Sequence, residues 1–240
     1  VWVMKILTPL QNKFLKTFFN SYMGQKFFLG GDTALSEFYL KHRLSQDLDF
    51  FTIDQELNFD LANTEVIKIA LDLKFSIEHQ VTSPSFLQYI FKSDNTTLKA
   101  DLVKDVPIHF GKIKKIKRIS VDSLENIAVG KLLAIFGRAD AKDFIDLYFL
   151  LEKDKRFKFK TLFNKAKKKD LGLQEFYLAE MLSRAKDIKT FPETIKPFNK
   201  KRLVDFFLEL SDNLYKKIKP EWWAKKLTLE SNRHDYVKEI

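Results

Sequence analysis

Between Phe27 and Thr52 the chain runs FFLGGDTALSEFYLKHRLSQDLDFFT, and no other stretch narrows the possible folds as much. Lys26-Phe27-Phe28-Leu29 is a short apolar run that stops at Gly30-Gly31. A segment with helical spacing then extends to about Lys41, with Asp32 or Thr33 placed to cap it. Leu48-Asp49-Phe50-Phe51 is a second apolar run, with Asp47 at its head. Strand, glycine turn, helix and strand in that order require a sheet with a helix laid on it. Asp47 and Asp49 are two apart along a strand, so their side chains leave the same face. Two carboxylates that close repel unless a cation or a proton sits between them. Hard oxygen ligands on one face suit Mg²⁺, which is commonly held by one or two carboxylates plus substrate phosphates. Gly30-Gly31 lets backbone approach a ligand and aims free N–H groups at an anion.

The rest of the chain divides by periodicity. Residues 8–23 carry apolar positions at helical spacing, and a further helix is expected near 60–73. Three strand-like runs follow at 75–81, 86–91 and 97–103, and the alternating Lys/Ile segment 112–119 fits one more strand on an edge. After that the pattern becomes helical. Asp122-Ser-Leu-Glu125 has capping-box spacing and opens a helix to about Phe136. Helices are expected at 141–151, 160–169, 173–186 and 200–218, with Phe191–Asn199, containing Pro192 and Pro197, as the clearest connector. The expected fold is α+β: a mixed sheet flanked by helices over residues 1–120, then an all-helical, basic domain over 121–240.

Composition limits the chemistry. Cysteine is absent, which excludes disulfides, thiolate nucleophiles and Cys-held zinc or iron–sulfur clusters. The four histidines, His42, His79, His109 and His234, show no metal-ligand spacing, and no Walker loop or Rossmann fingerprint occurs. No run approaches the ~20 apolar residues of a membrane-spanning helix, so a cytoplasmic protein without membrane contact is expected. Lys and Arg total 42 against 32 Asp and Glu. The excess is concentrated: residues 1–150 hold 19 basic and 18 acidic side chains, whereas 151–240 hold 23 and 14. A neutral half joined to a basic half suggests a catalytic module beside a polyanion surface. With 35 Lys and 7 Arg the charge suits phosphate-backbone attraction rather than base reading. Phe157, Phe159, Phe163, Phe176 and Tyr177 run through the basic half, where core packing is the ordinary use for each and stacking on bases the other. Trp222-Trp223 suits a packing anchor.

A phosphate cradle beside a carboxylate pair is what phosphoryl or nucleotidyl transfer requires. Asp101, in the strand Leu98–Val103, adds a third carboxylate, either as a shared metal ligand or as general base. Gly30, Gly31, Thr33, Ala34 and Leu35, then Tyr39, His42, Arg43 and Ser45, then Asp47-Leu-Asp49-Phe-Phe form one block. Lys131, Arg138, Asp143 and Asp146, within GKLLAIFGRADAKDFIDLYFLL, form a second. With these blocks the chain resembles the nucleotidyltransferase superfamily of DNA polymerase beta, and more closely the AbiEii/AbiGii toxins of type IV toxin–antitoxin systems, over roughly residues 25–151. The resemblance implies a polymerase beta-like core and Mg²⁺ held by Asp47, Asp49 and Asp101. It implies catalytic roles for Lys131 and Asp143 beside those acids, and nucleotide binding by Gly30, Gly31, Thr33, Arg43, Ser45 and Arg138. The implied partners are an NTP, an RNA acceptor (family members act on tRNA) and a neutralising antitoxin.

Two features depart from the family pattern. Asp32 intervenes between Gly31 and Thr33, where an acid beside a triphosphate is expected to point away or cap the helix. The interval from Gly31 to Asp47 is also longer than in the general superfamily motif. Without the family, Lys131 and Arg138 are a solvated stripe, Asp143 a first-turn acid favouring the macrodipole, and Asp140 the helix cap. Two alternatives stay open: transfer to a small molecule such as an aminoglycoside, and a catalytically weak nucleic-acid- or NTP-binding module.

Overall fold

The computed structural model describes residues 6–218; Trp222, Trp223 and His234 lie outside the described residues. Seven strands form one mixed sheet: β1 (Phe28–Leu29), β2 (Leu48–Thr52), β3 (Ser76–Thr82), β4 (Phe86–Ser93), β5 (Thr96–Lys104), β6 (Lys114–Ile116) and β7 (Ile119–Val121). Their order across the sheet is β3-β4-β5-β2-β1-β7-β6. β2 runs parallel to β5 and β1 parallel to β7, while the other neighbours are antiparallel. The lysine-rich edge segment is thus a hairpin of two strands, turning at Lys117 and Arg118, both of positive φ.

Three helices accompany the sheet: α1 (Pro9–Asn20), α2 (Gly31–Leu35) and α3 (Phe59–Asp72). α1 begins with a capping box between Thr8 and Gln11, and Pro9 stands where no intrahelical N–H is needed. Alternation along β2 decides what faces what. Phe50 turns toward α1, its ring 4.4 Å from that of Phe18 and 6.0 Å from that of Phe14. Asp49 and Phe51 therefore leave the opposite face. The aromatic packing on one side of β2 holds the carboxylate on the other.

The helical half comprises α4 (Leu124–Gly137), α5 (Ala141–Tyr148), α6 (Phe159–Lys169), α7 (Glu175–Ser183) and α8 (Lys200–Ile218). Phe144 of α5 meets Phe207 of α8 edge-on at 4.9 Å, and Leu132, Leu162, Leu178 and Leu203 are fully buried in the same core that covers the sheet. Phe163 is buried, and Phe157 and Phe159 pack against that core, whereas Phe176 and Tyr177 stay exposed.

Local details differ from the sequence expectation. α2 is capped by Gly30, not by Asp32 or Thr33, and it widens into a π-type turn over Ser36–Leu40 that ends at Lys41 with φ 50°. The cap of α4 is Ser123, whose hydroxyl accepts the Asn126 N–H; Asp122 is bonded elsewhere. Asp140 precedes α5 as expected but makes no side-chain cap, its carboxylate lying 3.2 Å from Arg138.

Candidate active site

Three elements aim the first carboxylates. Gly30 N–H donates to the Asp49 carbonyl at 2.8 Å, locking the glycine turn to β2. Gly31 has φ +60°, and a methyl group there would stand 2.8 Å from Asp49 Cγ, so the backbone lies directly against the carboxylate. Thr33, fully buried, donates its hydroxyl to the Asp47 carbonyl and lies 2.7 Å from Ser45 Oγ. Gln11 of α1 donates to the carbonyls of Ser45 and Gln46 at 3.1 and 2.9 Å. Thr33 and Ser45 thus hold the loop ahead of β2, and Asp47 sits just before that strand.

On the neighbouring strand Asp101 pairs in register with Asp49. Its carboxylate accepts from Gln88 at 3.0 Å and from Lys99 at 2.9 Å, and Lys99 lies 3.8 Å from Asp47. Among the described residues no cation lies within 4 Å of the Asp49 carboxylate. Burial, together with the charges of Asp32, Asp101 and Asp47, pushes its pKa up to about 7 against the opposing pull of Lys131.

A second group, built around Lys131, is buried deeper, and its carboxylates are paired with cations. Lys131 of α4 donates to Asp32 and to Asp143 at 2.9 Å, and its ammonium lies 2.6 Å from the Asp146 carboxylate. Arg43 grips Asp146 with two bonds of 2.7 Å and reaches Asp32 at 3.0 Å; His42 Nε2 lies 2.6 Å from Asp146. Arg138 forks onto Asp143 at 2.8 and 3.1 Å. Asp32 is held well below the usual carboxylate range by Lys131, Arg43 and Lys142, which outweigh its burial. Asp146 is held low in the same way by Lys131, Arg43 and His42. The acid that interrupts the glycine motif therefore neither points away nor caps α2. It is a counter-ion for Lys131. The backbone of this group is tied to the connector between α7 and α8, where Ile195 and Lys196 N–H donate to the His42 carbonyl at 2.7 and 3.1 Å and Thr194 bridges Arg43.

A cleft of about 300 Å³ opens between the sheet and α4. Of the residues expected from sequence, Gly31, Asp49, Lys131, Arg138 and Asp143 line it, together with Asp32; Gly30, Thr33, Arg43, Ser45, Asp47 and Asp101 do not. Lining residues not singled out for function in the sequence include Phe51, Asp122, Asn126, Gly130 and Lys169. Asp122 accepts from Asn126 at 2.9 Å and lies 2.7 Å from His109, and Lys169 is tied to Asp105 at 2.6 Å and Asn126 at 3.2 Å. Asp122 looks like a cap in sequence and Lys169 like one more solvated lysine, so neither carries a local signal.

Two carboxylate groups differ in fitness for a metal. Asp32, Asp143 and Asp146 bring oxygens within 4.8 Å of one another, a spacing able to hold a cation. The Lys131 ammonium already supplies that charge. Asp49 is the opposite case: a half-buried oxygen donor set against other acids, with no cation within 4 Å among the described residues and a glycine beside it. Hard oxygen donors short of positive charge fit a hard divalent ion.

The overall architecture has counterparts among solved structures. JHP933 from Helicobacter pylori superposes with a TM-score of 0.53 at 19% identity, covering 96% of this chain and 95% of that one. MenT4, a nucleotidyltransferase toxin of Mycobacterium tuberculosis H37Rv, superposes with a TM-score of 0.55 at 15% identity, covering 85% and 82%. Both are likenesses of fold. In sequence, the uncharacterized protein aq_aa25 of Aquifex aeolicus (strain VF5) is 30% identical over 137 residues, which are 53% of this chain and 58% of that protein. The chain thus matches little more than half the length of that relative. The family model described as "Nucleotidyl transferase AbiEii toxin, Type IV TA system" matches residues 13–225, and the chain belongs to that family.

Proposed function

We propose that the protein is a Mg²⁺-dependent nucleotidyltransferase that moves NMP from an NTP to a hydroxyl of RNA, with tRNA as acceptor, acting in the cytoplasm as the toxin of a toxin–antitoxin pair. The observation that carries this reading is the uncompensated Asp49, in register with Asp101 and pressed against Gly31, facing the same cleft as Lys131 and Arg138. Mg²⁺ held by Asp47, Asp49 and Asp101 would offset triphosphate charge and align the acceptor hydroxyl with the α-phosphate. The remaining chemistry belongs to the chain itself. Gly31 lines the cleft in which the triphosphate would lie, and Lys131 and Arg138 face the phosphate charge that grows as the bond to the leaving pyrophosphate breaks. Asp101 takes the proton of the attacking hydroxyl. Thr33 and Ser45 act through the loop they hold ahead of β2, and Arg43 through the Asp146 and Asp32 carboxylates. In this reading residues 1–120 supply the acids, and 121–240 supply Lys131, Arg138, Asp143 and a basic surface for RNA.

The test uses purified protein, Mg²⁺, each α-labelled NTP in turn, total tRNA, and Asp49→Asn as control. Label on tRNA that disappears in the variant is expected. Label on the protein or on a small acceptor instead would remove the RNA assignment, and absence of any transfer would remove the enzymatic one.

A further inference from the structure

Gly130 lies in the middle of α4, where glycine weakens a helix relative to alanine. Packing does not require it, because a methyl group built at Gly130 meets no atom within 4 Å. This separates it from Gly31, whose missing side chain makes room for Asp49, and from Gly30, where a methyl group would stand 2.6 Å from the Phe51 ring. The open space in front of Gly130 belongs to the cleft, which the glycine lines one residue before Lys131 and one turn after Ile127. Phe51, on the face of β2 that carries Asp49, lines the same cleft. Asp32, Asp49, Lys131, Arg138 and Asp143 concentrate charge in this cleft, while Phe51, Ile127 and Gly130 give it an uncharged surface bordered by the bonded Asp122, Asn126, Lys169 and Asp105. A nucleoside triphosphate offers the matching parts: charged phosphates, and a flat aromatic ring with a polar, hydrogen-bonding edge.

We propose that the bare backbone of α4 at Gly130 is the floor on which the base of the bound nucleotide lies, with Phe51 as the aromatic wall of that subsite. The proposal rests on the nucleotidyltransferase reading and extends it. Gly130 governs affinity for the base and not for the phosphates. Any side chain at this position projects into the space a planar ring needs, without disturbing the fold behind it.

The experiment measures calorimetric binding of each NTP and of inorganic tripolyphosphate, both with Mg²⁺, to the full chain and to Gly130→Ala and Gly130→Leu, alongside thermal melts. Gly130→Leu is expected to weaken NTP binding by about tenfold or more, the scale of one lost stacking interaction, with Gly130→Ala between it and the parent. Tripolyphosphate binding stays as in the parent, and both variants melt at or above the parent temperature because both residues favour helix over glycine. Unchanged NTP affinity in Gly130→Leu would overturn the proposal. So would an equal loss for tripolyphosphate, which would place the phosphates at Gly130. A parent protein that binds NTP with this pattern but transfers nothing would remove the transferase reading and leave the base subsite standing. A parent that binds no NTP would overturn both.

Discussion

The ammonium of Lys131 and the carboxylate of Asp32, 99 positions apart in the chain, form a buried ion pair that joins the helix after the glycine turn to α4. The residue that breaks the Gly-Gly-Thr pattern is thereby absorbed. Its charge is answered from three sides by Lys131, Arg43 at 3.0 Å and Lys142 at 3.2 Å, so it does not stand in the cleft as a free anion.

Removing the shared cation costs more than removing one of its partners. Lys131→Met leaves Asp32, Asp143 and Asp146 crowded together, and a loss of roughly 3–5 kcal/mol is expected, as for other buried pairs broken on one side. Asp32→Asn is milder, because Lys131 keeps Asp143 and Asp146. Urea unfolding of the two variants checks the order; equal losses would show that the three acids do not share one cation.

Asp49 makes stability depend on pH in an unusual direction. Its folded pKa of about 7 lies above the ordinary 3.8, so the folded chain keeps a proton that the unfolded chain has released. Stability therefore falls as pH rises from about 4 to about 7 and levels off above that. Asp49→Asn cannot ionise and is expected to melt above the parent near pH 8 by a few degrees, each kcal/mol being worth roughly 2–4 °C, with the gap narrowing below about pH 7 and closing near pH 4. Mg²⁺ should raise the parent and not the variant. Melting curves across pH, with and without Mg²⁺, give the answer; a variant no more stable than the parent near pH 8 contradicts it.

The two cleft glycines respond to alanine with opposite signs. Gly31→Ala forces a left-handed residue against Asp49 and costs at least about 1–2 kcal/mol from the backbone alone. Gly130→Ala gains about 0.5–1 kcal/mol. Denaturation midpoints of the pair distinguish close approach from vacancy.

Not every lysine in the basic clusters is free for RNA. Lys112, Lys115 and Lys117 are exposed on the β6–β7 hairpin segment, whereas Lys165 pairs with Glu125 and Lys169 with Asp105. Changing the three hairpin lysines to Gln should reduce the slope of log affinity for RNA against log salt by about 2, at ~0.7 per lost contact with a single strand. Lys169→Gln should instead lower the melting temperature. Fluorescence anisotropy over a salt series, with melts, checks both; an unchanged slope would exclude the hairpin as an RNA contact.

Much of this was legible in the chain because it is periodic. β2, β4 and β5 and the helices α1, α3 and α8 follow their apolar spacing, and Asp47 and Asp49 announce themselves by two-residue separation at the start of a strand. Asp32, Asp122 and Lys169 were not legible in their true roles. Each is placed by a partner far away in sequence, at Lys131, His109 and Asp105, and local pattern offers for each a simpler use as cap or solvated charge. Arg43 and Asp146 are intermediate: the motif contains them, but their two-bond union depends on how α5 packs beside the turn that follows α2.

The connector at 191–199, with its N–H groups on the His42 carbonyl, works as a buckle. It closes from the far end of the chain over the turn that presents Arg43. A fragment ending before it would retain every acid of the cleft yet lose the fastening that aims the Arg43 guanidinium at Asp32 and Asp146, so the helical half contributes to the order of the sheet half.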